Sequence, residues 1–412
     1  MLAVVAPVGA LMVAIAVFAL GHGLLGSLVP LRLEADGQAA SVTGTVSAAY
    51  FAGLVAGAWY SPSVIRRVGH VRAFAGFAGL LAAGALALPL VPDPWSWAGL
   101  RLAYGASAGG IILVIESWLA GAAPEGWRAR LLATYMVVFY LALAGSQYFL
   151  TVYGTAGFPP FNLVAILLAL SLVPVALSRI AAPTLRRPVS RPLRELYALS
   201  PLAVVGCFAS GIVLGAFYGL APVFAARLGL DVEGVALVMS ATILGGLALQ
   251  WPTGYLSDLF DRRTVIIAVA ATGAAACVLI VLTASVGLVL LVAQLAVFGG
   301  MAFTLYPLCL SHAADFLGED GDIVTVASGL LLAYSMGAVA GPLAAGALFD
   351  LADGRGLFIV FALVLGAVAV FGIWRRTRRA AIPNAEQSGF VAVPRVSPAA
   401  YEIDPRRPPE TT

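Results

Sequence analysis

Twelve long apolar stretches govern what this chain can fold into. They lie near residues 8–31, 42–65, 72–92, 97–119, 129–151, 159–180, 200–225, 234–257, 264–284, 286–310, 325–349 and 356–375. Each is close to the ~20 residues that carry an α-helix across a hydrocarbon core. Only 10% of the 412 residues are charged and 61% are hydrophobic, whereas a soluble domain carries about 25% charge. The runs are continuous, not alternating, so a transmembrane β-barrel is excluded. Their richness in Gly and Ala suits close helix packing in lipid. The first run is too long for a signal-peptide core and has no basic leader, so it reads as a retained helix. The expectation is an all-α membrane protein.

An even number of spans puts both ends on one side, and arginine decides which. All the basic residues are Arg; there is no Lys. Arg66, Arg67 and Arg72 follow the second run, Arg128 and Arg130 the fourth, and Arg179, Arg186, Arg187, Arg191 and Arg194 the sixth. Arg262 and Arg263 follow the eighth. The other side holds only Arg32, Arg227 and Arg355. Both termini are expected in the cytoplasm, across a bacterial inner membrane. The arginines form short clusters with no basic stripe, which argues against nucleic acid. Cys207, Cys277 and Cys309 lie scattered in apolar runs, as filler residues do.

The chain is written twice. At a shift of about 193 residues Ser47-Ala48 meets Ser240-Ala241, Gly53-Leu54 meets Gly246-Leu247, and Pro30 meets Pro222 at nearly the same offset. Duplicated six-helix halves place a binding site between them near the bilayer midplane. The expected units are 1–180, a first six-helix bundle; 181–199, a cytoplasmic linker; 200–376, a second bundle; and 377–412, a Pro-rich tail expected to be disordered.

The stretch "GYLSDLFDRR", residues 254–263, gathers four charges in ten residues. It resembles the loop signature of the major facilitator superfamily, roughly G-x-x-x-D-R-x-G-R-R, through Gly254, Asp258, Arg262 and Arg263; Leu259 and Asp261 depart from it. The first-half copy keeps Arg67, Gly69 and Arg72 but has Arg66 where the family has Asp. "RLAYGASAG", with Arg101, Gly105 and Gly109, resembles the family's fourth-helix motif. Glu116, Pro124 and Arg128 are similar to a sugar-porter pattern, with Ala129 in place of Gly. The drug-antiporter motif of helix 5 is missing. The resemblance spans residues 8–375 and implies two pseudo-symmetric bundles that rock about a central site.

Charge at the membrane edge costs little, whereas at depth it costs several kcal/mol. Asp258, Arg262, Arg263, Glu116, Arg128 and the first-loop Arg66, Arg67 and Arg72 are therefore candidates for a cytoplasmic gate; plain topology anchoring is the alternative. Within the spans, His22 is the titratable group of near-neutral ordinary pKa placed at mid-depth, a candidate for proton coupling or substrate contact. Arg101 is an intramembrane cation, a candidate for a substrate anion or a brace for backbone carbonyls. Gln147, Gln250, Gln294, Tyr140 and Trp251 could line a cavity or simply join helices.

"GASAG" around Ser107 matches G-x-S-x-G, but it lies mid-helix, and His22 has no acid near it in sequence, so a hydrolase is disfavoured. Without Lys there is no phosphate-cradling loop, so ATP-driven pumping is disfavoured too. The expectation is a non-enzymatic secondary transporter, working as a monomer without a cofactor. It would move a small organic solute by alternating access, coupled to the proton gradient, with export favoured over uptake. Sugar-porter-like uptake is the first alternative, and a non-transporting sensor or scaffold on the same fold the second.

Overall fold

The computed structural model describes residues 2–122, 127–178, 191–317, 322–352, 354–378, 382–383, 386–395, 397–404 and 406. Its described residues hold twelve helices long and apolar enough to span a bilayer. These are α1 (Val8–Ala35), α2 (Ala40–Val68), α3 (His70–Leu90), α4 (Pro94–Ala122), α5 (Arg128–Tyr153) and α6 (Pro159–Leu177) in the first half. The second half has α7 (Pro201–Arg227), α8 (Val232–Leu259), α9 (Arg262–Thr283), α10 (Leu288–Ala314), α11 (Ile323–Ala352) and α12 (Gly356–Arg376). All twelve sequence runs are matched, with ends shifted by a few residues. Asp231, Asp261 and Asp322 accept backbone N–H bonds at the starts of α8, α9 and α11, satisfying donors that a helix leaves open.

The duplication is visible in the packing. Glycines let α2 and α4 approach until a side chain would not fit: a Cβ on Gly53 would strike the Leu102 carbonyl, and one on Gly105 the Tyr50 carbonyl. The equivalent pair in the second half, α8 and α10, repeats this with Gly245 against Ala296 and Gly299 against Thr242. Such approach is how helices gain dispersion contact where lipid removes any hydrophobic drive.

The two halves meet most tightly on the face away from the chain ends. There Gly44 of α2 lies against the Pro342 carbonyl of α11, and Ser240 of α8 donates to the Ala144 carbonyl of α5 at 2.8 Å. On the face carrying the termini, called here the terminal face, the halves diverge around the C-terminal segment.

In its described part, residues 386–395 and 397–404, that segment departs from the expectation of a disordered tail over 377–412. The tail is not free of the body: Val393, Ser397, Ala400, Tyr401 and Asp404 are all buried, and a 3-10 turn covers Pro398–Ile403. The composition argument holds only for a chain that must build its own core; here the core is supplied by the helices. Part of the expected linker, residues 181–190, lies outside the described residues, as does Pro124. A short helix, Leu193–Leu199, precedes α7.

Candidate functional site

A cavity of about 500 Å³ lies between the halves, lined by α1, α2, α4 and α5 on one side and α7 and α11 on the other. Most of its wall is apolar or aromatic, and no Asp or Glu among the described residues lines it. His22 and Arg101 both reach it. The His22 ring lies within 3.1 Å of the Tyr50 hydroxyl through Nε2 and 3.4 Å of the Tyr104 hydroxyl through Nδ1. It stacks on Phe18 and Tyr104, with centroids 5.2 and 5.9 Å apart.

Arg101 covers the same two tyrosines, its guanidinium carbon 4.5 Å from the Tyr50 centroid and 5.3 Å from that of Tyr104. It is only 6% exposed, and its Nε has no hydrogen-bond partner among the described residues. No carboxylate pairs with it there. Ring faces offset part of the cost of burying a cation, but a buried donor left open remains expensive. The arrangement presents an unfilled cation to the cavity.

Tyr140 and Gln147 also line the cavity. Gln147 sits where α5 tightens into a 3-10 turn, Ser146–Tyr148. It accepts from the Ser27 hydroxyl at 2.6 Å and donates to the Gly23 carbonyl at 3.3 Å, so its main work is to join α1 to α5. Three expected residues do not line the cavity. Trp251 is 75% exposed on the lipid side, stacked on Tyr255. Gln294 donates to Thr283 at 2.8 Å, tying α10 to α9. Gln250 is buried within α8. The sequence could not tell which side of a helix faced inward, because these helices are apolar all round.

The cavity is sealed on the face away from the termini by a charge cluster spanning both halves. Arg227, ending α7, donates to Glu34 of α1 at 2.8 Å and to Asp350 of α11 at 2.6 Å. Asp350 also accepts from the Ala40 N–H that begins α2, at 3.3 Å. The sequence reading missed this cluster, having counted Arg227 only as an exception to the arginine bias. The partners are 193 and 123 residues apart, beyond any local pattern.

The terminal face differs from the gate expected there. Arg262 is 1% exposed and pairs with Asp258 at 3.2 Å and Asp315 at 2.6 Å, all within the second half. Burial pushes the Asp315 carboxyl above its ordinary range, against the pull of Arg262 and Ser388. Arg263 pairs with Asp261 at 3.2 Å. In the first half Arg66, Arg67 and Arg72 are exposed, with Arg66 donating to Ser63 at 3.0 Å. Arg128 is half-buried. No ion pair between described residues joins these arginines to the second half. The described tail instead spans the halves there, bonded to Glu116 and Tyr140 on one side and to Asp258 and Phe303 on the other.

Glu116 was expected to pair with a nearby arginine; its contacts are neutral instead. It is 0% exposed, accepts from the Tyr135 hydroxyl at 3.0 Å, and accepts from the Ser397 hydroxyl of the tail. Arg395, two residues earlier, enters the cavity. It donates to the Tyr140 hydroxyl at 2.6 Å and the Phe303 carbonyl at 2.9 Å, with its guanidinium 4.9 Å from the Phe303 ring centroid.

The sequence agrees with this architecture at family level. The Major Facilitator Superfamily model matches residues 11–330 and 203–403. The chain is 30% identical over 363 residues to the "Uncharacterized MFS-type transporter YcaD" of Escherichia coli (strain K12 / DH10B), covering 87% of this chain and 93% of that one. The protein of the same name in Escherichia fergusonii is 29% identical over the same shares. Among solved structures, nucleoside transporter NupG aligns with a TM-score of 0.70 at 14% identity, over 91% of this chain and 99% of that one. A bacterial homolog to the human lysosomal transporter Spinster, inward-facing and unoccupied, aligns at 0.71 with 14% identity, over 91% and 97%. At such identities the structural matches speak for the fold; the family model and the sequence relatives carry the assignment. The chain belongs to the Major Facilitator Superfamily.

Proposed function

We propose that the protein is a secondary transporter that moves a small organic acid through this cavity by alternating access. The observation that carries the reading is a cavity walled by both halves and sealed on one face by the Glu34–Arg227–Asp350 cluster, which bridges them. Parting that cluster while the terminal face closes would expose the same site to the other side. The arginine bias supports a cytoplasmic terminal face in a bacterial inner membrane. A cavity loading from that face is the order an exporter needs.

The solute class follows from the walls. Arg101 lacks a counter-charge among the described residues, and the wall around the cavity is mostly aromatic and aliphatic, with His22 and Arg395 as its other basic groups. A monocarboxylate with an apolar or aromatic body would satisfy the guanidinium in its fork geometry and bury the rest. Glu116 supports proton coupling. It is the one buried carboxylate in the described spans with no cation beside it. We assign the proton to Glu116 and solute orientation to His22, reversing the sequence expectation, because His22 faces the cavity.

The test is flux into proteoliposomes under an imposed pH gradient. The probes are radiolabelled benzoate, its hydroxylated derivatives, and neutral and quaternary-ammonium analogues of similar size. Aromatic carboxylates should move, and Arg101→Gln should cut their apparent affinity about tenfold or more, the worth of a charged hydrogen bond. Faster movement of the ammonium analogues would contradict the assignment of solute class.

A further inference from the structure

The mouth of the cavity is a built peptide site, and its occupant is this chain's own C-terminal segment. Five anchors hold that segment to both halves. Ser388 donates through its N–H and its hydroxyl to Asp315, both at 2.9 Å, while Arg262 donates to the Ser388 carbonyl. The Phe390 N–H donates to Asp258 at 2.8 Å. The Phe390 ring lies over Gly254, where any side chain would displace it. Arg395 reaches Tyr140 and Phe303 in the cavity, Ser397 reaches Glu116 on α4, and Tyr401 shares a hydrogen bond with Tyr306 on α10. The loop signature that opens with Gly254 and ends with Arg263 is thus the seat of the tail.

We propose that residues 386–406 are a tethered plug of the transport cavity, with Arg395 as the group that blocks it. Three observations carry this. First, Pro394 and Arg395 form part of the cavity wall, so solute loading from the terminal face must displace them. Second, the tail contacts Glu116 and Tyr140 of the first half and Asp258, Phe303 and Tyr306 of the second. It is a wedge between surfaces that must meet if the terminal face is to close, so its departure is required for the alternate state. Third, the contacts suit a guanidinium: Arg395 is held by a tyrosine hydroxyl, a carbonyl and the faces of Phe303 and Tyr334, which favour a planar, weakly hydrated cation. The segment is joined to α12 by a short link, and tethering of that kind gives effective concentrations of order millimolar. A peptide of modest affinity then stays bound by default. The plug depends on the cavity geometry and not on the identity of the solute.

The test uses the full chain with a cysteine at Ser335, a half-buried cavity residue on α11. The three native cysteines are buried, and the Ser335 parent gives their background. With the tail intact, S335C should react slowly with a water-soluble maleimide. Adding Arg395→Ala and Tyr401→Ala should raise the rate about tenfold, and a synthetic peptide of residues 386–406 at millimolar concentration should restore the slow rate. The restoration also shows that the variant is folded. Equal rates with and without the two substitutions would overturn the proposal, as would a peptide that leaves the fast rate unchanged. Independently, the pair Gly254→Cys and Phe390→Cys should form a disulfide on mild oxidation, since a Cβ at Gly254 lies against the Phe390 ring; no bond would place the tail elsewhere and sink the plug. If labelling shifts as expected but no form of the chain moves any solute, the plug stands and the transport reading fails.

Discussion

At the scale of single residues, buried polar groups divide by whether their partners are complete. Gln147 is complete: Ser27 and the Gly23 carbonyl take up its amide, and it behaves as a joint. Arg101 is incomplete, and Glu116 is completed by neutral donors alone, the Tyr135 and Ser397 hydroxyls and the Ala400 N–H. That difference yields a prediction. Glu116→Gln keeps the side chain's size and its contact with Tyr135 but fixes it in a neutral state. In proteoliposomes the variant should retain solute counterflow and lose accumulation driven by a pH gradient. His22→Gln should retain accumulation and raise KM. Undiminished gradient-driven accumulation in Glu116→Gln would move the proton to another group.

At the scale of helices, small residues set how near the backbones come. Gly53 and Gly105 bring α2 and α4 into backbone contact, and a larger side chain there would overpack the interface. Gly53→Leu should cost about 1–3 kcal/mol and lower the thermal transition in detergent. Gly76 is the control. No atom lies within 4 Å of its would-be Cβ, so Gly76→Ala should leave the transition unchanged or raise it, as helix propensity favours. An unshifted transition for Gly53→Leu would show that α2 and α4 do not pack as described. The helices themselves were legible in the sequence, because twelve continuous apolar runs admit few other folds. Their pairing was legible in part: the repeated glycines at the shift of about 193 residues mark equivalent interfaces. The inward-facing side of each helix was not legible, so the choice between lining a cavity and joining helices stayed open for Trp251, Gln250 and Gln294, while Tyr50 and Tyr334 of the cavity wall were overlooked. An amphipathic stripe would have shown them; a helix wetted by lipid has none.

At the scale of the molecule, the sequence pointed to charge at the terminal face and offered only Arg32, Arg227 and Arg355 at the other, with no sign of their partners. The cluster that closes the opposite face joins residues from three distant helices, and only the fold brings them together. The tail was misread for a related reason. Its composition says truthfully that it cannot fold alone, yet Tyr401 and Ser397 fold onto a surface made by other parts of the chain. Two opposed closures result, an ion cluster on one face and a tail between the halves on the other. Electron–electron spin distances on the two faces test it most directly. One pair of labels goes at Gln38 and Val286 on the face of the cluster, the other at Arg72 and Phe260 on the terminal face. Changing Arg227→Gln and Arg395→Ala together releases both restraints. The first pair should then lengthen while the second shortens, in proportion, as one population replaces another. Distances that stay unchanged on both faces, or that lengthen on both at once, would contradict alternating access through this cavity.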